Sequence, residues 1–110
     1  MTLNAPKRQS MLLGSLYGDA FALGPHWIYD TDTIERSFGR ITSLTTPLPN
    51  SYHQGKRKGD FTHYGDQTFF LLKTIREING FDLDLLKTRW AEYMRTYSGY
   101  IDTATKTTLN

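Results

Sequence analysis

The sequence predicts an all-α protein, and three observations carry that prediction. Apolar residues recur every three or four positions in several stretches; no stretch alternates apolar and polar residues long enough for a half-buried strand; and Gly or Pro follows the longer periodic stretches. The first stretch sets Leu12, Leu13, Leu16, Tyr17, Ala20 and Phe21 on one face and predicts a helix over 7–22. Gly24-Pro25 ends it, because proline lacks a backbone N–H and disfavours helical backbone before it. His26-Trp27-Ile28-Tyr29 then reads as an aromatic-rich turn. A short helix is expected over 33–38, capped by Asp32 or Thr31 and stopped by Gly39 in a left-handed conformation.

Residues 41–62 contain Pro47, Pro49, Asn50, Gly55 and Gly59 without a sustained period, and read as a long loop. Loops of that length inside a domain are usually functional or disordered. A third helix is predicted over 66–79, with Leu71, Leu72, Ile75 and Ile78 inward and Gly80 at its end. A fourth runs over 82–97 from its cap Asp82, with Leu86, Trp90, Tyr93, Met94 and Tyr97 at helical intervals and Gly99 behind it. Asp102 looks like the cap of a last helix that has no visible end before Asn110.

Composition narrows the class further. With 110 residues the chain suits one domain over 1–110, and 38% hydrophobic with 22% charged residues argues against both disorder and a membrane class. The absence of cysteine removes disulfides, thiolate metal sites and thiol nucleophiles. A net charge of +2 is too small to select nucleic acid or a membrane as partner. The apolar run Met11 to Leu13 falls far short of the ~20 residues a spanning helix needs. No secretory pattern is present, so a soluble, cytoplasmic protein is expected. There is no phosphate-binding loop ending in Gly-Lys-Ser/Thr, no His-Glu-x-x-His pair and no Gly-x-Ser-x-Gly elbow.

Two acidic motifs concentrate the remaining chemistry: Gly14-Ser15-Leu16-Tyr17-Gly18-Asp19-Ala20, and Gly59-Asp60-Phe61-Thr62-His63-Tyr64-Gly65-Asp66-Gln67-Thr68. In the first, glycines four apart predict a smooth helix face that another backbone can approach, with Asp19 beside it. Asp19 is read either as a carboxylate orienting a site through hydrogen bonds or as one bonded to a backbone amide. In the second, Asp66 is expected to open a helix, where exposed N–H groups and the dipole favour its charge. As an isolated residue Asp66 is a cap; with Thr62, His63, Tyr64 and Gln67 around a glycine it is a candidate site. His26 and Trp27 form either a packed corner or a stacking surface for a base or sugar. Lys56-Arg57-Lys58, flanked by Tyr52 and His53, is either a solvated run, the reading preferred, or a contact for a pyrophosphate or a nucleic-acid backbone. Lys7 and Arg8 are too few for a nucleic-acid arm, and no nucleic-acid partner is expected. Tyr97, Gly99, Tyr100 and Asp102 are either a helix–helix turn or part of the same cleft.

The two acidic motifs resemble those of the ADP-ribosylglycohydrolase family, whose first helix carries Gly-Asp-Ala and whose metal site begins at a later helix start. The resemblance covers roughly 10–110 and matches the N-terminal part of a domain several-fold longer. It implies an α-helical fold and hydrolysis of the bond between ADP-ribose and a protein side chain or small leaving group, assisted by magnesium. ADP-ribose or an ADP-ribosylated protein would be the partner. The family's Thr-Asp-Asp is Tyr64-Gly65-Asp66 here, so Asp66 alone carries over as a metal ligand. Asp66 and Asp19 would be the catalytic carboxylates, and His26, Tyr64, Gly99 and Tyr100 substrate contacts. The family's glutamate after Gly-Asp-Ala has no counterpart, leaving that role lost or passed to His26 or Asp30. With those acids missing, the chain is expected to be weakly active or inactive by itself; the alternative is a non-catalytic helical module derived from the fold. A homo-oligomer is expected, because apolar faces would otherwise stay open.

Overall fold

The structure is a computed structural model and describes residues 4–110. It contains α1 (Ala5–Ala22), α2 (Thr31–Phe38), α3 (His63–Ile78), α4 (Leu83–Arg95) and α5 (Thr103–Leu109), with no strand among the described residues. The all-α expectation therefore holds. Each helix begins on a side-chain cap: Asn4, Asp30, Thr62, Asp82 and Asp102 accept N–H bonds from Lys7, Asp32, Tyr64, Leu85 and Thr105 in turn. Such caps stabilise a helix by about 1 kcal/mol each.

Several boundaries differ from expectation, each for a local reason. The second helix starts two residues early because Asp30, not Asp32 or Thr31, caps it; its carboxylate also accepts the Thr33 hydroxyl at 2.6 Å. The third starts at His63, capped by Thr62, so Asp66 is not the cap but lies in the first turn, where the helix dipole still favours a carboxylate. Asn79, at φ 52°, rather than Gly80 takes the left-handed position that closes α3. Helix α4 stops at Arg95, since the Thr96 and Tyr97 amides bond to the carbonyls three residues back. Gly39 ends α2 with the positive φ expected, 61°, but its ψ of −146° lies outside the left-handed helical region.

Helix α3 is central: it packs on α1 and on α4, and α4 packs on α5. The chain spreads into a slab of 46 × 39 × 21 Å, whose short side is about two helix diameters, so no third layer can form. Among the described residues the buried aliphatic side chains are accordingly few, with Ala20, Leu23 and Met94 at their centre. The N-terminal half of the predicted α1 face stays open, with Met11, Leu12, Leu13 and Tyr17 exposed. Across the α3–α4 seam, Phe70 stacks on Tyr93 with centroids 4.7 Å apart, and the Trp90 indole N–H donates to Gln67 Oε1 at 2.9 Å. No helix among the described residues is long and apolar enough to cross a membrane.

The close backbone approach occurs in a different place from the one predicted. Gly14 and Gly18 face open space, whereas a Cβ on Gly65 of α3 would overlap the Asp19 carboxylate and the Phe61 side chain. The missing side chain that matters is on α3, and it lets α1 bring Asp19 against the start of that helix. Gly65→Ala is expected to lower stability in urea unfolding by about 1–3 kcal/mol, as overpacking does. Gly18→Ala should be neutral or raise it by up to about 1 kcal/mol, the usual gain of Ala over Gly in a helix. Equal effects at the two positions would contradict this account of the contact.

Candidate functional site

Helix starts leave amide groups without partners, and α3 solves this with a residue from α1. Asp19 Oδ2 accepts the Thr62 backbone N–H at 2.8 Å and Oδ1 accepts the Thr62 hydroxyl at 2.6 Å. Thr62 Oγ1 in turn accepts the Tyr64 N–H at 3.1 Å. Of the two readings of Asp19, the bond to a backbone amide is the one observed. Because that amide belongs to the α3 cap, the carboxylate also positions everything carried by the first turn.

On one side of that turn lies a polar cavity of about 540 Å³, lined by Lys56, Asp66, Gly99 and neighbouring loop residues. Lys56 Nζ sits 2.7 Å from Asp66 Oδ2, and both side chains are largely shielded, at 16% and 24% exposed. The Tyr97 hydroxyl donates to the same oxygen. Burial and the adjacent Asp66 carboxylate push the Tyr97 phenol far above its ordinary pKa, so it stays a donor. The Lys56 ammonium also lies 5.3 Å from the Tyr97 ring centroid, within cation–π range.

On the other side three histidines meet. His26 Nδ1 and His53 Nε2 are 2.7 Å apart, and the His63 ring stacks with His53 at 6.1 Å. His53 and His63 are fully buried, and His53 Nδ1 and both His63 ring nitrogens lack a hydrogen-bond partner. Trp27 covers the group, stacked on His26 at 4.7 Å and on His53 at 5.6 Å, with Tyr52 and Tyr100 edge-on to it. Trp27 holds φ at 64°, a conformation that a bulky residue adopts only under strong tertiary constraint. Tyr64 meets His26 edge-on and donates to Asp102 Oδ2 at 3.0 Å. Burial, followed by the charges of His26, His63 and Lys56, lowers the pKa of His53 to about 4. Burial also lowers His26 and His63, opposed by Asp19 and Asp102 respectively. Hydrogen bonds from Thr105 take Asp102 down to about 2.

The predicted site residues thus divide in two. Asp66 and Gly99 share the polar cavity, with Asp19 behind it through Thr62; His26, Tyr64 and Tyr100 belong to the aromatic side. Tyr100 lines a cleft of about 250 Å³ with Trp27, Tyr29, Tyr52 and Asp102, and His26 lines one of about 230 Å³ beside it. Sequence reasoning missed the pairing of Lys56 with Asp66 and the burial of His53 and His63. Gly55 and Gly59, both at positive φ, bracket Lys56 and were the available signal for its fixed placement.

The magnesium implied at Asp66 does not fit the described side chains by themselves. Magnesium requires close to six oxygens in octahedral array. Asp66 Oδ2 faces an ammonium, Asp19 commits both oxygens to Thr62, and no group of three His, Cys, Asp or Glu side chains among the described residues could hold a metal ion.

Helical architecture, Gly-Asp-Ala on the first helix and an aspartate in the first turn of a later one are the features on which the family resemblance rests. The family model described as ADP-ribosylglycohydrolase matches residues 5–110, and the chain belongs to that family. It is also similar to Crystallin J1A of Tripedalia cystophora, 30% identical over 79 residues, a stretch covering 70% of this chain and 24% of the crystallin. The match therefore spans about a quarter of that relative's length. No solved structure matches.

The histidine cluster makes stability depend on pH. Folding lowers the His53 pKa from 6.5 to about 4, so between those values the unfolded chain binds more protons than the folded one. Stability is then fully present above pH 6.5 and falls as pH drops toward 4, by about 1 kcal/mol per pH unit for one such histidine. Asp102 does not contribute in that window, because its stabilisation persists down to its unfolded value of 3.8. The urea midpoint should fall from pH 7 to pH 5, and His53→Gln should flatten the profile; an unchanged slope in the variant would remove His53 from the account.

Proposed function

We propose that this chain forms the ADP-ribose-facing, α3-centred part of an ADP-ribosylglycohydrolase-like hydrolase of the cytoplasm. The reaction is hydrolysis of the bond between the ribose anomeric carbon and a protein side chain or small leaving group, through an oxocarbenium-like transition state. The observation that carries the reading is the juxtaposition, across one helix turn, of a polar cavity holding Asp66 and aromatic clefts lined by His26 and Tyr100. Sugar hydroxyls and phosphates suit the first; a flat base suits the second.

In this reading Asp66 accepts a ribose hydroxyl through Oδ1, since Lys56 and Tyr97 both bond to Oδ2. Asp19 acts through Thr62 by holding the helix start in place. Tyr100 and His26 contact the base, Tyr64 fixes Asp102, and Gly99 leaves room for the Tyr97 ring, which a Cβ there would overlap. No step runs through magnesium, which enters as an arm of the test.

Calorimetric titration with ADP-ribose, with and without magnesium, checks this. Binding should weaken about 10- to 100-fold in Asp66→Ala, the loss expected for a hydrogen bond to a charged group. No heat from the folded chain under either condition would favour the second reading, a non-catalytic helical module. The engagement of Asp66 by Lys56 is the observation that keeps that reading in view.

The open apolar face of α1, with Met11, Leu12, Leu13 and Tyr17, supports self-association of the chain as part of the same proposal. Light scattering at micromolar concentration should give a dimer or larger species. A monomer across that range would remove this part of the proposal and leave the ADP-ribose reading untouched.

A further inference from the structure

The misfit between Asp66 and magnesium has a chemical cause in the chain itself. We propose that the Lys56 ammonium is the resident cation of the Asp66 site, built into the fold, so that the site excludes divalent metal and stays charge-balanced without it.

The placement of Lys56 is constructed rather than incidental. Gly55 at φ 85° and Gly59 at φ 92° make two left-handed bends on either side of it. Between them the Lys56 N–H bonds to the His53 carbonyl at 3.2 Å, the Arg57 N–H to Asp60 Oδ2 at 2.8 Å, and the Lys58 N–H to Thr46 Oγ1 at 3.2 Å. Every residue of the basic run is pinned through its backbone, yet Lys56 alone of the three is turned inward while Arg57 and Lys58 remain exposed. A solvated charge run does not sort its members this way.

The surroundings of the ammonium match its needs. It has a carboxylate oxygen at 2.7 Å and an aromatic face at 5.3 Å, in a site sheltered enough for both to act strongly. Tyr97 fastens the same carboxylate oxygen from the other side, so Asp66 is held toward Lys56 by two donors at once. A divalent ion entering here would have to break that arrangement and strand a shielded ammonium beside a second positive charge. In return it would gain Asp66, beside an Asp60 of the same cavity that is tied through one oxygen to the Arg57 N–H, while Asp19 is tied through both oxygens to Thr62. Magnesium gives up its water reluctantly, so a carboxylate oxygen already held by an ammonium and a phenol offers it little while Lys56 is in place.

The consequence is a site whose positive charge does not depend on dissolved metal. Removing that charge should unmask Asp66 as a metal ligand. Manganese alone, with no nucleotide present, is the probe, so failure here and failure of the ADP-ribose reading are separate results. Calorimetry on the 110-residue chain should show no saturable manganese binding up to millimolar concentration. Lys56→Met should bind manganese at least ten-fold more tightly than the unaltered chain, and the Lys56→Met/Asp66→Asn double variant should lose that gain. Either tight, Asp66-dependent manganese binding by the unaltered chain or no gain in a folded Lys56→Met would overturn the proposal. Should that variant unfold, paramagnetic broadening in the unaltered chain decides: with stoichiometric manganese the Lys56 and Asp66 amide signals should stay sharp, and selective broadening of both would overturn it.

Discussion

Asp19 gives both carboxylate oxygens to one residue, Thr62, and the position of α3 hangs on that pair. Gly65 makes the approach possible, because any side chain there would collide with the carboxylate. Once the first turn of α3 is fixed, its helical geometry distributes the chemistry. With 3.6 residues per turn, Tyr64 and Asp66 point about 200° apart, so one looks toward Asp102 and the aromatic residues and the other toward Lys56 and Tyr97. A single interhelical contact thus sets two dissimilar environments back to back. The small apolar core explains why such a contact carries so much: with few buried aliphatic residues, polar ties do more of the positioning.

The two environments handle charge in opposite ways. Around Asp66 an ion pair is reinforced by a phenol; around His26, His53 and His63 burial disfavours the charged form, against the pull of Asp19 and Asp102. Geometry separates the two: the carboxylate lies beside an ammonium and a phenol, while the imidazoles are crowded against one another and against indole, where desolvation lowers their pKa. His63 Nε2 lies 3.8 Å from Asp102 Oδ2, while His53 Nδ1 and His63 Nδ1 have no hydrogen-bond partner beside the aromatic clefts.

How much of this was legible in the sequence follows from the range of each interaction. The apolar periods of α1, α3 and α4 are local and read correctly as helices, as do the caps Asp82 and Asp102, but the periods overstate burial: Leu12, Leu13, Tyr17 and Ile75 are exposed. The starts of α2 and α3 were misplaced because several polar residues compete for each cap, and for α3 the choice of Thr62 rests on Asp19, 43 residues away. The glycine pattern in α1 pointed to a close approach on the wrong helix, since sequence gives no sign of which glycine faces a neighbour. Asp66 and His26 were singled out, but not the company they keep: Lys56 reaches Asp66 from a loop with no period, and the histidines come from three separate segments. Helix spacing cannot report contacts of that kind.

The two tryptophans fall on either side of this division. Trp27 lies against three imidazoles, while Trp90 donates to Gln67 in the α3–α4 seam. Fluorescence from the chain is therefore a sum of two indoles with different quenchers. Exchanging either for phenylalanine would turn the other into a private optical probe, one for the state of the imidazoles and one for the union of the helices.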